Sequence, residues 1–179
     1  MKYLFLLILS GLFITSCTST ETVNTDQNSE IEEEEVENNR FAPEWYNEKV
    51  KSATDSLTFS GYAYAVADTE NRALEQSERV ALSNLRFEID RFVESVRTHL
   101  EENNGSDPFG TQQLIMNVRN AVQNLNLSET ELDYDIQQKN EFYHVFINAE
   151  ISRKKVVNML TGVISNSTLS ASLENHRVL

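Results

Sequence analysis

The chain of 179 residues carries 28 acidic and 15 basic side chains, and its formal net charge is −13. This balance argues against nucleic acid as a partner, because phosphate binding depends on clustered lysine and arginine. The single cysteine, Cys17, rules out an internal disulfide. The hydrophobic core alone must therefore hold the fold together.

The first 17 residues have the layout of a lipoprotein signal. Met1 and Lys2 give a short positive start, and the apolar stretch that follows is shorter than the roughly 20 residues that span a bilayer. It ends in the letters ITSC, which resemble the bacterial lipobox. The resemblance implies cleavage before Cys17, a diacylglycerol on its thiol and a further acyl chain such as palmitate on the new amino group. We predict a signal peptide at 1–16 and lipidation at Cys17; the alternatives are a cleaved signal with an incidental thiol and a core cysteine.

Residues 17–42 are predicted to be the lipidated cysteine followed by a disordered acidic tether. The run EIEEEEVENN, Glu30 to Asn39, has too few apolar side chains to offset the entropy of ordering it. A solvated spacer is the preferred interpretation, and cation binding or a surface-export signal are the alternatives. In lipoproteins of this type an Asp after the cysteine can retain the protein at the inner membrane. Thr18 predicts the outer membrane instead, on its periplasmic or surface side.

Residues 43–165 are predicted to form a single α+β domain. Trp45, in the opening APEWY, is expected to cap the core, and a ligand-stacking role is the alternative. A strand follows at 57–67, and its small residues should let a helix backbone approach closely. Apolar residues at helical spacing then predict a long helix over about 70–101 and a second over about 111–125.

The stretch from Glu131 to Ile151 alternates in polarity and is predicted to be a hairpin that turns at Lys139 and Asn140. Such a turn brings the apolar residues of both strands to one face. The predicted register pairs Gln138 with Glu141, Ile136 with Tyr143, Asp135 with His144, Tyr134 with Val145, Asp133 with Phe146 and Leu132 with Ile147.

A third helix over about 153–164 closes the predicted domain, and residues 166–179 are predicted to be a loose C-terminal tail. The order is strand, helix, helix, strand, strand, helix. This order predicts a small antiparallel three-stranded sheet with helices packed on one face, and the last strand, the most apolar, is expected to lie centrally.

The chain resembles the Lpp-twenty family of bacterial membrane lipoproteins. The residues that carry the resemblance are the lipobox, PEW at 43–45, the strand FSGYAYAV and the helix RALEQSERVALSNLRFEIDRFVES. The strand departs from the family pattern, because Gly61 is followed by Tyr62 and Ala63 rather than by a repeated glycine. The resemblance implies an envelope lipoprotein that acts through contact, with a fold related to small α/β domains of flagellar-ring and penicillin-binding-protein-activator lipoproteins. It supplies no catalytic residues.

Three carboxylates are the strongest sequence candidates for chemistry. Glu131, Asp133 and Asp135 alternate along one strand, so neighbours lie about 7 Å apart. That separation could suit an inverting glycosidase or a weak cation site. A sheet face exposed to water shows the same pattern and is the preferred interpretation.

Other motifs give little support for a catalytic centre. His99, His144 and His176 have no metal-ligating spacing, so neither a metal nor a cofactor is predicted. The triplet Asp55-Ser56-Leu57 resembles a short acceptor pattern for bacterial O-glycosylation, with Ser56 as the acceptor.

The sequence thus predicts a lipid-anchored, non-enzymatic structural or protein-binding module of the bacterial envelope. Its expected partners are the membrane, through the N-terminal lipid, and an envelope protein; the partner's identity and the oligomeric state are left open. Activation of a cell-wall synthase is one form that such binding could take. The alternative is an envelope hydrolase that uses the acidic strand face.

Overall fold

In the computed structural model, which describes residues 41–176, a four-stranded antiparallel sheet carries helices on one face, as predicted for an α+β domain. The strand order is β1-β2-β4-β3, so the last strand lies centrally, as expected. The strands are β1 Ser52–Thr54, β2 Thr58–Ala67, β3 Glu131–Lys139 and β4 Phe142–Ser152. The helices are α1 Glu70–Asn104, α2 Ser106–Phe109, α3 Gln112–Gln123, α4 Arg153–Thr161 and α5 Ser167–Asn175.

The predicted three-strand count is wrong because β1 was not foreseen. This strand has only three residues, too few for an alternating pattern to stand out. A turn sets its position: the Asp55 carboxylate accepts the backbone N–H groups of Leu57 and Thr58, both at 2.7 Å. That turn reverses the chain so that β1 pairs with Phe59–Gly61 of β2.

The core lies between the inner face of the sheet and the helices. The largest contributions from the sheet are Phe59 on β2 and Ile147 on β4, and α1 supplies Leu85 and Ile89, all four fully buried. Gly61 sits where α1 crosses β2. A Cβ atom there would lie 2.3 Å from the Ala81 carbonyl oxygen, which confirms the predicted close approach of a helix backbone to the small residues of this strand.

Two buried charged residues on α1 tie neighbouring segments to the helix. The Glu88 carboxylate accepts the Ser52 hydroxyl at 2.8 Å and the Arg91 guanidinium at 2.6 Å, which fixes β1 against α1. Further along, the Arg97 guanidinium donates to the Phe109 carbonyl oxygen at 2.6 Å. Hydrogen bonds from Arg97 to Glu94 raise the pKa of Arg97, and burial lowers it by less, so the pKa is raised overall.

The hairpin forms, but its turn comes one residue later than predicted. Asn140 and Glu141 are the turn residues, and both have positive φ, 51° and 66°. Two such residues define the type I′ turn that matches the twist of a hairpin, and Asn favours this conformation. The correct register pairs Lys139 with Phe142, Gln138 with Tyr143, Gln137 with His144, Ile136 with Val145, Asp135 with Phe146, Tyr134 with Ile147, Asp133 with Asn148, Leu132 with Ala149 and Glu131 with Glu150.

This register is shifted by two residues from the predicted one, so every side chain keeps its predicted face. The individual partners change: His144 lies opposite Gln137, and the predicted pair of His144 with Asp135 is wrong.

The predicted loose tail at 166–179 is wrong for residues 167–175. These residues form α5, whose first turn is capped by the Asn166 side chain accepting the Leu169 N–H at 2.9 Å. Leu169 and Leu173 lie one turn apart and are completely buried in the main core, with exposed fractions of 0% and 1%. The predicted third helix ends at Thr161, three residues early.

The predicted signal peptide, Cys17 and the tether as far as residue 40 lie outside the described residues. Within residues 41–176, no helix has the length and apolar character needed to cross a membrane.

Candidate functional site

The outer face of the sheet, turned away from the helices, carries the residues with the clearest functional character. Alternate residues of each strand point to this face. They include Tyr62, Tyr64 and Val66 of β2, Phe142, His144, Phe146 and Asn148 of β4, and Glu131, Asp133, Asp135, Gln137 and Lys139 of β3. The face is therefore aromatic near β2 and β4 and acidic along β3.

Five rings near the centre of this face form what we call the aromatic cluster: Phe41, Tyr46, Tyr64, His144 and Phe146. The Phe146 ring lies at its middle and is only 3% exposed. The Tyr64 ring stacks on it at 4.6 Å between centroids, and the Tyr46 ring meets it edge-on at 5.0 Å. Both arrangements are favourable geometries for aromatic pairs.

Two members of the cluster come from the segment before β1. The Phe41 ring lies edge-on to His144 at 4.7 Å, and the Lys139 ammonium sits 5.1 Å from the centre of the Phe41 ring. This geometry is suited to a cation–π interaction. Trp45 was expected to cap the core, but it is 39% exposed and contacts Tyr46 edge-on. Tyr46 and Phe41 cover Phe146 instead.

Tyr64 and His144 form a hydrogen-bonded pair within the cluster. The Tyr64 hydroxyl lies 2.6 Å from His144 Nδ1. Burial, and then the charge of Glu48, raises the pKa of Tyr64. Burial, and then the charge of Lys139, lowers the pKa of His144. Both shifts favour the neutral forms, in which the hydroxyl and the ring nitrogen share one hydrogen bond.

Part of the outer face is apolar and open. It consists of three aromatic residues and one aliphatic residue, Trp45, Tyr64, Phe142 and Val66, which together we call the aromatic patch. Their exposed fractions lie between 39% and 49%. One face of an antiparallel sheet is commonly polar when it meets water. Large exposed side chains grouped on one surface are instead typical of a protein–protein contact.

Glu131, Asp133 and Asp135, which we call the acidic row, lie along β3 beside the aromatic cluster. Glu131 and Asp133 are exposed, whereas Asp135 is half-buried and accepts the Gln137 side-chain amide at 2.7 Å. Four cavities of about 420 to 760 Å³ indent residues 41–176, and the acidic row lines none of these four. The row gives the outer face a negative rim that attracts cationic groups.

The structure does not bring the three histidines together. His144 belongs to the outer face, whereas His176 follows α5 and its ring lies 5.6 Å from that of Phe92. Burial, and then the charges of Arg153 and His99, lowers the pKa of His176. Between residues 41 and 176 no group of three potential metal ligands lies close enough to hold an ion.

Ser56, the predicted glycosylation acceptor, is exposed in the turn between β1 and β2. Asp55 has a structural role there, because its two backbone hydrogen bonds hold the pKa of its carboxyl below the usual range. Ser56 also lines a cavity of about 760 Å³ together with Arg153 and Lys154. The buried Arg153 guanidinium donates to the carbonyl oxygens of Asp55 and His176.

The aromatic cluster and the aromatic patch were not predicted from the sequence. The signal was present: Tyr62, Tyr64 and Val66 share a face, and Phe142 and Phe146 alternate on β4. It was obscured because polar His144 and Asn148 interrupt the β4 face, and because Phe41 and Tyr46 precede the first recognised strand.

Comparisons of the chain with protein-family models, curated proteins and solved structures found no match. The resemblance to the Lpp-twenty lipoproteins stays a prediction.

Proposed function

We propose that the chain is a lipid-anchored lipoprotein of the bacterial envelope whose domain is a non-enzymatic, protein-binding module, with the outer sheet face as its binding surface. The lipobox-like ITSC at the end of a short apolar stretch supports the anchor. The observation that carries the binding function is the aromatic patch on a sheet face that the helices leave open.

The chemistry of the outer face fits a binding surface. Protein interfaces have an apolar, aromatic centre and a polar rim. Here the patch is bordered by the acidic row on β3 and by Lys139. The negative rim favours a partner with basic groups around its own apolar contact, because complementary charges speed and orient association.

The position of Phe41 is consistent with this arrangement. It is the first described residue, and its ring contacts His144 in the aromatic cluster. The predicted tether would therefore join the domain beside the proposed binding face.

The anchor is tested by Cys17→Ser in the intact chain. We expect the wild-type protein in the membrane fraction, with a diacylglyceryl cysteine as its first residue by mass spectrometry, and the variant in the soluble fraction. Ser19→Ala is the control and should stay with the membrane. A free thiol on Cys17 in the native protein contradicts the proposal. Thr18→Asp tests the predicted outer-membrane location, because it should shift the protein to the inner membrane.

The binding surface is tested by placing a photo-crosslinking residue at Phe142 of the intact lipoprotein in its native cells. The matched control is Phe87, an aromatic residue on α1 that is 62% exposed. We expect one envelope protein to crosslink at position 142 and not at position 87. Equal yields at the two positions contradict the outer face as the binding surface.

The hydrolase alternative rests on the acidic row. Replacing Glu131 with Gln, and Asp133 and Asp135 with Asn, removes the charges and nearly preserves side-chain size. A binding module should keep its crosslink at position 142 in this triple variant, although association should be slower. Loss of a measured turnover on an envelope glycan would favour the hydrolase.

A further inference from the structure

One edge of the sheet is only partly covered. β1 pairs with β2 from Phe59 to Gly61, and the last bond on this side runs from the Tyr62 N–H to the Lys51 carbonyl oxygen at 2.8 Å. Antiparallel strands direct the backbone groups of alternate residues to the same side. Tyr64 and Val66 therefore point their N–H and C=O groups to this side too, where residues 41–176 supply no further strand.

Helix α1 runs beside this open edge and makes it a groove. The Asn84 side-chain amide donates to the Tyr62 carbonyl oxygen at 2.7 Å. Val80 and Gln76 lie one and two turns before Asn84 on the helix. Four helix residues rise about 6 Å and two strand residues about 6.6 Å. Helix residues four apart therefore stay beside strand residues two apart along this edge. The result is a cavity of about 490 Å³, the edge groove, lined by Tyr64, Ala65, Val66, Gln76, Arg79 and Val80.

The opposite edge of the sheet is protected in a way that this edge is not. The outer-face side chains of β3 include the acidic row and Lys139. Charged side chains on an edge strand discourage the addition of another strand. The open part of β2 instead presents Tyr64 and Val66, each 40% exposed, and the groove wall adds Val80 at 47%.

We propose that the edge groove binds an extended segment of the partner protein, which adds to the sheet beside β2 and continues the line of β1. The proposal rests on the proposed binding function and specifies how the partner is held. Main-chain hydrogen bonds to Tyr64 and Val66 provide affinity, and alternate side chains provide specificity. Apolar side chains of the segment would meet Tyr64 and Val66, and a carboxylate on its other face would reach Arg79.

The charge of Arg79 favours a different chain over a second copy of this one. The open edge is centred on Ala65, and Arg79 stands beside it in the groove. Pairing two copies antiparallel through these edges would place two Arg79 side chains next to each other, which is unfavourable between like charges. An extended segment with one carboxylate beside Arg79 has no such penalty.

The test uses the full-length lipoprotein in detergent micelles and a synthetic peptide of about nine residues, a normal strand length. The peptide alternates Thr and Val, and a central Thr is replaced by Glu. We expect saturable binding and at least about tenfold slower hydrogen exchange of the Tyr64 and Val66 amides, because exposed edge amides exchange quickly until they are paired. No saturable binding up to about 1 mM peptide overturns the proposal.

Two N-methylated versions of the peptide separate strand addition from simple hydrophobic contact. Each is methylated on the amides of one edge only, so only one should lose binding, by about 10- to 30-fold for two hydrogen bonds. Arg79→Glu should weaken binding of the unmodified peptide about tenfold. Arg119→Glu, an exposed control on α3, should leave it unchanged. Equal binding of both methylated peptides, or exchange protection elsewhere without protection at Tyr64 and Val66, overturns the proposal.

The crosslinking at Phe142 keeps the two proposals separate. A crosslink there with no strand addition at β2 removes only the strand-addition proposal. If no crosslink forms at position 142 while the peptide still binds at the groove, the proposal that the outer face is the main binding surface is contradicted.

Discussion

Replacing Gly61 with Ala should disrupt the packing of α1 on the sheet. The added Cβ would lie 2.3 Å from the Ala81 carbonyl oxygen, 2.4 Å from the Leu85 nitrogen and 2.8 Å from the Leu85 Cα. All three atoms are helix backbone, so no side chain can rotate away to make room. Because Gly61 does not have a positive φ, the need for glycine comes from this close approach and not from its own backbone conformation.

The size of the effect follows from how far α1 would have to move. Ordinary van der Waals contact for a Cβ begins at about 3.4 Å, so the helix must retreat by about 1 Å locally. A gap of that size forfeits about a quarter to a half of the dispersion energy of the atoms that it separates. Overpacked cores lose about 1–3 kcal/mol, and a clash with three backbone atoms belongs at the upper end. We expect a loss of about 3 kcal/mol, a large fraction of the roughly 5–15 kcal/mol that stabilises a domain.

Urea unfolding of the purified chain, followed by circular dichroism, measures this loss. Gly162→Ala is the matched control. It follows α4 with φ −70°, and the nearest atoms to an added Cβ are 3.5 Å away, so it should stabilise the protein by about 0.5 kcal/mol through the unfolded chain. A Gly61→Ala loss below about 1 kcal/mol would refute the close approach of α1 to β2.

Three further predictions concern the buried polar contact, the last helix and the outer face. Ser52→Ala should cost about 1–2 kcal/mol in urea unfolding, because the buried Glu88 carboxylate then loses one of its two described hydrogen bonds; an unchanged stability would mean that water replaces the hydroxyl. Leu173→Ala should cost about 3 kcal/mol, since a fully buried leucine leaves a cavity, while Leu57→Ala, at a site 73% exposed, should cost less than about 0.5 kcal/mol. The lowered pKa of His144 means that the unfolded chain binds a proton at higher pH than the folded one. The contribution of neutral His144 to the free energy of unfolding is therefore present above the ordinary histidine pKa of about 6.5. It is lost as pH falls through the folded-state pKa. The drop in the urea midpoint between about pH 7.5 and 5.5 should be smaller in His144→Gln than in the wild type, and an equal drop would contradict the assignment.

The inner face of the sheet could be predicted because several patterns agree there. The small residues of β2, the long apolar stripe of α1 and the alternation of the hairpin all require one helix-covered face. The two-residue error in the hairpin register did no harm to this prediction, because side chains alternate with a period of two. The turn was misplaced because Lys139-Asn140 and Asn140-Glu141 both fit a two-residue loop, and only the backbone shows which pair takes positive φ.

The short elements could not be predicted from periodicity. β1 has three residues, and α5 buries only two leucines in a stretch of serine and asparagine. Their positions depend on tertiary contacts: Ser52 bonds to Glu88, and Leu169 and Leu173 join the main core. The aromatic cluster is similar, because Phe41 and Tyr46 reach Phe146 from about 100 residues earlier in the chain.

Helix α1 also determines how much of the β2 edge is covered. Glu88, Asn84, Val80 and Gln76 follow one another at four-residue steps, and the rise of about 6 Å per step matches that of two residues of β2. The Glu88 carboxylate accepts a hydrogen bond from Ser52 of β1. The Asn84 side-chain amide donates directly to the Tyr62 carbonyl oxygen of β2. The Val80 side chain has no polar group, so it can neither hydrogen-bond to the edge of β2 nor hold a strand beside it. The edge groove begins at this point. The four-residue spacing along α1 thus has two effects. It places Glu88 where it holds β1, and it leaves the backbone groups of Tyr64 and Val66 open to an added strand.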